Sequence, residues 1–182
     1  HLKKMNLGAL NITKDNNIYL STDISCSISG PSLELISGQV NFNGLSYKEA
    51  EKEFIEAIRL NSNSFRAYYQ YGRMCFANGE IEKSAEMFLK ASEVQQEDFQ
   101  SLLLLAQSLR ILRSDQEQVA LKEGLKRVRK HLEFNPRDRR ALSMGSVSLF
   151  ENGEKEEAIM WINKAVKLYP EDGGVIFNGA CL

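Results

Sequence analysis

Histidines and cysteines are few in this 182-residue sequence, and badly spaced for acid–base, nucleophilic or metal chemistry. Of two histidines, only His131 lies away from the ends, with Lys130 beside it. A catalytic histidine needs an acidic or nucleophilic partner, and the sequence assigns none, so a surface or interhelix position is expected. Cys26, Cys75 and Cys181 show no Cys-x-x-Cys spacing. They read as small buried hydrophobes in a reducing compartment, not as a disulfide framework or a zinc site. The carboxylate pairs Glu80/Glu82 and Glu156/Glu157 stand where turns give way to helices. There, negative charge complements the helix dipole, which suffices to explain them. Asp15-Asn-Asn17 starts like a calcium loop, but Tyr19 stands where an oxygen ligand is needed and no glycine follows. Phosphate-binding glycine loops, the nucleophile elbow and HExxH are missing from the sequence. Asn11-Ile-Thr13 is an isolated formal sequon. The expectation is a protein without a reaction, metal or cofactor of its own.

Composition agrees without selecting a function. Hydrophobic residues make up 43%, charged residues 26%, and the net charge is -1. That balance argues against a globally basic nucleic-acid binder and against an acidic solvating tail. The densest basic run, Lys126-Arg-Val-Arg-Lys130, is followed by Arg137, Arg139 and Arg140. Helical spacing spreads the run around a helix, so a solvated face is the simpler reading. An RNA or anionic-surface site over residues 126–140 is the alternative, although Phe134 is the only stacking aromatic near it. The longest apolar run, Leu102 to Leu105, is far too short to span a bilayer.

The elements that would carry these residues repeat. Gly38 to Gly72, Phe54 to Phe88 and Ala57 to Ala91 are each 34 residues apart. Small residues recur at Gly38, Gly72, Ala106 and Ser146, then at Ala50, Ser84, Gly124 and Ala158. Large apolar residues recur at Phe54, Phe88, Val128 and Ile162, and prolines close two units at Pro136 and Pro170. Helix-starting residues stand at each boundary: Gly30-Pro31, Ser64, Asp98, Asp138 and Asp172. Ser46-Tyr-Lys-Glu49 has the form of a capping box.

This pattern resembles the tetratricopeptide repeat, a 34-residue helix–turn–helix unit. The resemblance implies an all-α, right-handed solenoid of four helix pairs and one terminal helix. The units would be 31–64, 65–98, 99–138, 139–172 and a truncated 173–182. The third is 40 residues long, with six extra residues around Ile111 to Ala120 that lengthen the turn or the helices. Residues 1–30 fit no unit. Ile18, Leu20, Ile24, Cys26 and Ile28 alternate with polar neighbours, and Lys14-Asp-Asn-Asn17 is turn chemistry, which suggests a short β-hairpin. The bland alternative is a linker or the tail of an upstream domain. The chain opens on His1 and ends inside an expected helix, so it reads as a segment of a longer protein in which the array continues.

In the resembling family, partners lie along the first helices of successive units. Carried over, that face comprises Arg66, Tyr69, Arg73 and Phe76; Gln100, Leu103, Gln107 and Arg110; and Arg140, Ser143, Val147 and Phe150, with Gln70 adjacent. Those twelve positions include four arginines and no carboxylate, a pattern suited to a peptide bearing acidic groups. The resemblance implies a cytoplasmic protein-interaction scaffold that binds a protein or peptide. The alternative within the family is a regulatory or oligomerisation module of a larger bacterial signalling protein, self-associating through an open C-terminal end. Leu35, Gln39 and Gln70 occupy the places of the family's carboxylate clamp, so that specialised activity is not expected.

Overall fold

A computed structural model describes residues 10–12, 18–20 and 46–182. Strands β1 (Leu10–Ile12) and β2 (Ile18–Leu20) pair antiparallel, with Ile12 opposite Ile18 and Leu10 opposite Leu20, in keeping with the alternation in the sequence. The Lys14–Asn17 turn, Cys26, Gly30-Pro31, Leu35, Gly38 and Gln39 lie outside the described residues, as does the Ser46 side chain.

Eight helices follow among the described residues: α1 (Ser46–Leu60), α2 (Phe65–Ala77), α3 (Ile81–Val94), α4 (Gln100–Ile111), α5 (Glu117–Phe134), α6 (Arg139–Glu151), α7 (Lys155–Leu168) and α8 (Gly173–Cys181). The boundaries follow local chemistry. Ser64 Oγ accepts from the Ala67 amide at 3.3 Å, Asp98 Oδ2 from Ser101 at 2.7 Å, Asp138 Oδ1 from Ala141 at 2.8 Å and Asp172 Oδ1 from Val175 at 2.9 Å. Each satisfies an amide that its helix would leave unpaired, a contribution of about 1 kcal/mol.

The helices pack as hairpins, and the three hairpin turns among the described residues are alike. Glu80 N donates to Cys75 O, Ser114 N to Leu109 O and Glu154 N to Leu149 O, each at 2.9 Å. This six-to-one bond needs a left-handed residue just before its donor. Gly79 (φ 82°) and Gly153 (φ 88°) supply it without strain, but in the middle hairpin the residue is Arg113, at φ 54°. The six extra residues follow that point. They lengthen the turn to residues 112–116, against 78–80 and 152–154, and extend α5 to 18 residues, where α3 and α7 have 14.

The chain divides into two compact units, His1–Val94 and Gln95–Leu182. In the first, α2 packs on both α1 and α3. Phe54, Met74, Cys75 and Phe88 are almost wholly buried, and the Phe54 and Tyr71 rings stack 5.6 Å apart. Gly72 is required by close approach, since a Cβ there would stand 2.9 Å from the Phe88 ring. In the second unit, α4 pairs with α5 and α6 with α7, while α6 also contacts α4, α5 and α8. Leu121, Leu125, Val128, Leu142 and Leu149 fill its centre. The sequence marked Ser146 as the small residue at the α6–α7 crossing. The tighter approach is at Gly145, where a Cβ would fall 2.5 Å from Trp161 and 2.9 Å from Val128.

Candidate peptide-binding strips on α2, α4 and α6

In the first unit the expected binding residues run along α2. Arg66 is exposed, while Arg73 and Phe76 are half-buried. Tyr69 is only 7% exposed, stacked on Phe65 at 5.5 Å and set edge-on to Phe88 at 6.1 Å. The Arg73 guanidinium lies over the Tyr69 ring, 5.7 Å from its centroid, so its cation rests against an aromatic face. Gln70 is buried, and its Oε1 has no hydrogen-bond partner among the described residues. Tyr69 and Gln70 therefore support the strip from beneath, and Arg66, Arg73 and Phe76 reach its surface.

In the second unit the strip comprises α4 and α6, which touch each other. Leu103 is buried, and a Cβ on Gly124 would stand 2.7 Å from it. Ser143 is also buried and accepts a hydrogen bond from Asn178 Nδ2 of α8 at 2.8 Å. Gln107 is exposed; Gln100, Arg140, Val147 and Phe150 are partly so. The Lys155 ammonium stands 5.4 Å from the Phe150 ring centroid, a second cation against an aromatic face.

Arg110 is held by two carboxylates. Its Nε donates to Glu117 Oε1 at 2.7 Å, and its Nη1 pairs with Glu151. Burial works against its charge, but the two carboxylates outweigh that and raise its pKa. Glu117 opens the lengthened α5, so the insertion itself brings a carboxylate to this arginine.

The basic run also finds local partners. Lys126 and Arg127 face Glu123, Lys130 faces Glu97, and Arg129 Nη2 pairs with Glu154 at 2.5 Å and Glu157 at 2.7 Å. Arg139 pairs with Asp172. Phosphates would have to compete with these carboxylates. His131, half-buried on α5, has its ring 5.1 Å from Phe99, just ahead of α4, and its Nε2 3.2 Å from Asp138 Oδ2, just ahead of α6.

A further network was not foreseen from sequence. At the start of α1 and α3, Tyr47 donates to Glu80 Oε2 at 2.6 Å, Tyr71 donates to Glu51 Oε1 at 2.8 Å, and Lys83 reaches Glu51 at 2.5 Å and Glu80 at 3.2 Å. The Lys83 and Tyr71 donors hold the Glu51 carboxyl below its ordinary value. Burial pushes the adjoining Cys75 thiol up to about 11, which keeps it protonated and unreactive. Cys181, also expected to be buried, is exposed.

Stacked helical hairpins with small residues at their crossings define a helical-repeat protein. Tetratricopeptide repeat models match residues 42–98 and 142–172. The chain belongs to the tetratricopeptide repeat family. No curated protein matches it. Among solved structures it is similar to the MamA RS-1 ArsTM double mutant, at 20% identity over 75% of each chain with a TM-score of 0.52. It is also similar to MamA 41-end from Desulfovibrio magneticus RS-1, at 20% identity over 74% of this chain and 75% of that one, with a TM-score of 0.51. These likenesses concern the fold. Among the described residues no helix is long and apolar enough to cross a membrane.

Proposed function

We propose that this chain is a protein-interaction scaffold without a reaction of its own, and that it holds acidic peptide segments against α2 and against α4–α6. The observation that carries the reading is the recurrence of a cation over an aromatic ring at each strip: Arg73 on Tyr69, and Lys155 on Phe150. On α6 the half-buried Phe150 offers apolar surface beside the Lys155 cation, and on α2 the buried Tyr69 fixes the Arg73 cation near the half-buried Phe76; both arrangements suit a carboxylate-bearing peptide with large apolar side chains. Arg66 and Arg140 extend the positive character of the two strips. At Arg110 a peptide carboxylate would have to compete with Glu117 and Glu151.

The test is charge reversal. Arg66→Glu with Arg73→Glu, and separately Arg140→Glu, should each weaken binding of a fluorescein-labelled Glu/Leu-rich peptide at low salt, with unchanged helicity by circular dichroism. Unaltered affinity in both variants would refute the acidic-peptide reading. A second reading, self-association through α7 and α8, is favoured by the exposure of Met160 (60%) and Phe177 (68%). Sedimentation of wild type against Phe177→Ser with Met160→Gln tests it. A monomer at all concentrations contradicts it.

A further inference from the structure

Between α1 and α3 runs a groove with a cavity of about 360 Å³. Its floor is Ile55, Ile58, Tyr68, Tyr71 and Met87. Tyr68 and Tyr71 lie on a different side of α2 from Arg66, Tyr69 and Arg73, so this groove is separate from the strip. Ile55 is 52% exposed although it is a large apolar residue.

One repeat of the second unit places an arginine at this point. Ile55 follows Phe54 as Arg129 follows Val128, at the same point of the repeat. Arg129 bridges to Glu154 and Glu157, tying α5 to α7. Ile55 cannot form such a tie. In the first unit Lys83 joins the corresponding helices through Glu51, near their starts. Most of the side chains lining the gap are apolar or aromatic.

The walls indicate what fits. Lys52 and Arg59 lie three residues before and four after Ile55, on the same face of α1. Lys83 and Lys90 line the opposite wall, with Glu86 the one carboxylate in the lining. Arg59 pairs with Glu56, and Lys90 with Glu93, within their own helices at exposed sites. Exposed pairs of this kind are weak and readily exchanged for another carboxylate. Lys83 is more firmly engaged by Glu51 and Glu80.

We infer that the α1–α3 groove is a second docking site, which takes an acidic amphipathic helix from a protein partner. Its leucine-sized side chains would enter over Ile55 and Met87, and its flanking carboxylates would meet Lys90, Lys52 and Arg59. This is the helix-in-groove mode of recognition, with apolar anchors three and four residues apart. The inference does not depend on the strips, and reversal of Arg66 and Arg73 should leave it intact.

The experiment titrates the full chain, carrying ¹³C-methyl isoleucine and methionine, with a synthetic 14-residue amphipathic helix. The helix presents leucines at i, i+3, i+4 and i+7, flanked by glutamates; a second peptide has lysines in place of the glutamates. The glutamate peptide should shift the Ile55, Ile58 and Met87 methyl signals and the lysine peptide should not. Lys90→Glu should lower affinity for the glutamate peptide by about five-fold or more. Ile55→Arg should abolish binding; if that variant does not fold, Lys90→Glu, at an exposed site, still decides. No shift at those methyls, equal binding of both peptides, or an unchanged affinity in Lys90→Glu would overturn the inference. So would methyl shifts that depend on protein concentration without peptide, which would assign the groove to a second copy of the chain.

Discussion

Gly145→Ala is a single-methyl change whose outcome depends on the packing of the second unit. In an exposed helix, replacing glycine with alanine stabilises by about 1 kcal/mol. Here the new Cβ would stand 2.5 and 2.9 Å from two carbons of the Trp161 ring, and 2.9 Å from Val128 Cγ1. Trp161 is 7% exposed and Val128 fully buried, so neither can swing into solvent. Forcing a methyl group into a filled core costs about 1–3 kcal/mol. The clash therefore wins, and a net loss of about 1 kcal/mol is expected after the helix gain is subtracted. The assay is built in, because Trp161 is the only tryptophan. Its fluorescence during urea unfolding reports on the second unit, and the midpoint should fall by about 0.5–1 M. Gly173→Ala is the control: a Cβ at that position meets nothing within 4 Å. Equal or greater stability of Gly145→Ala than of Gly173→Ala, with an unchanged Trp161 spectrum, would refute the packing described for α6 and α7.

Three further outcomes follow from the geometry. Arg113→Gly should stabilise by about 0.5–1 kcal/mol, measured by the same fluorescence, because Arg113 holds the left-handed place that Gly79 and Gly153 fill in the other turns. The Glu51 carboxyl titrates below its ordinary value of 4.5 in the folded chain. Its contribution is therefore complete above that pH and is lost as pH falls through the lowered value. Glu51→Gln should flatten the acid limb of stability, read by circular dichroism across pH 3 to 7, and an unchanged limb would contradict the Lys83–Glu51 link. In a Cys26→Ser background, Cys181 should react with a thiol reagent at once and Cys75 only on unfolding, since Cys75 is buried with its thiol pushed up to about 11.

The legible parts of the sequence were those governed by local rules. Ser64, Asp98, Asp138 and Asp172 cap the next amide run because a short acceptor reaches only its own helix start. The insertion was visible as a break in the 34-residue spacing, but its effect on Arg110 was not. That effect depends on α5 growing by one turn, so that Glu117 faces back across the hairpin. Arg113 carries none of the glycine signal that marks the other two turns. Gly145 was missed because the repeat pattern pointed one residue on, and the close approach is created by the position of the Trp161 ring. The basic run read as a solvated face, and its ion pairs were not legible because three of its partners, Glu97, Glu154 and Glu157, lie 25 to 33 residues away. Tyr69, Gln70, Leu103 and Ser143 fell on the expected binding face, yet they are buried. The 3.6-residue period gives a direction around the helix, and how deep that direction lies is set by the neighbouring helix.

The most direct test places a photo-crosslinking benzoylphenylalanine at Phe76, at Phe150 and, as a control, at Phe134, which is 77% exposed on α5. Each full-length variant is irradiated with the labelled Glu/Leu-rich peptide, and adducts are counted by mass spectrometry. Adducts at positions 76 and 150 with little at 134 are the predicted result. A crosslink chiefly at 134, or none at 76 and 150 under conditions where the peptide binds, would contradict a partner held along α2 and α4–α6.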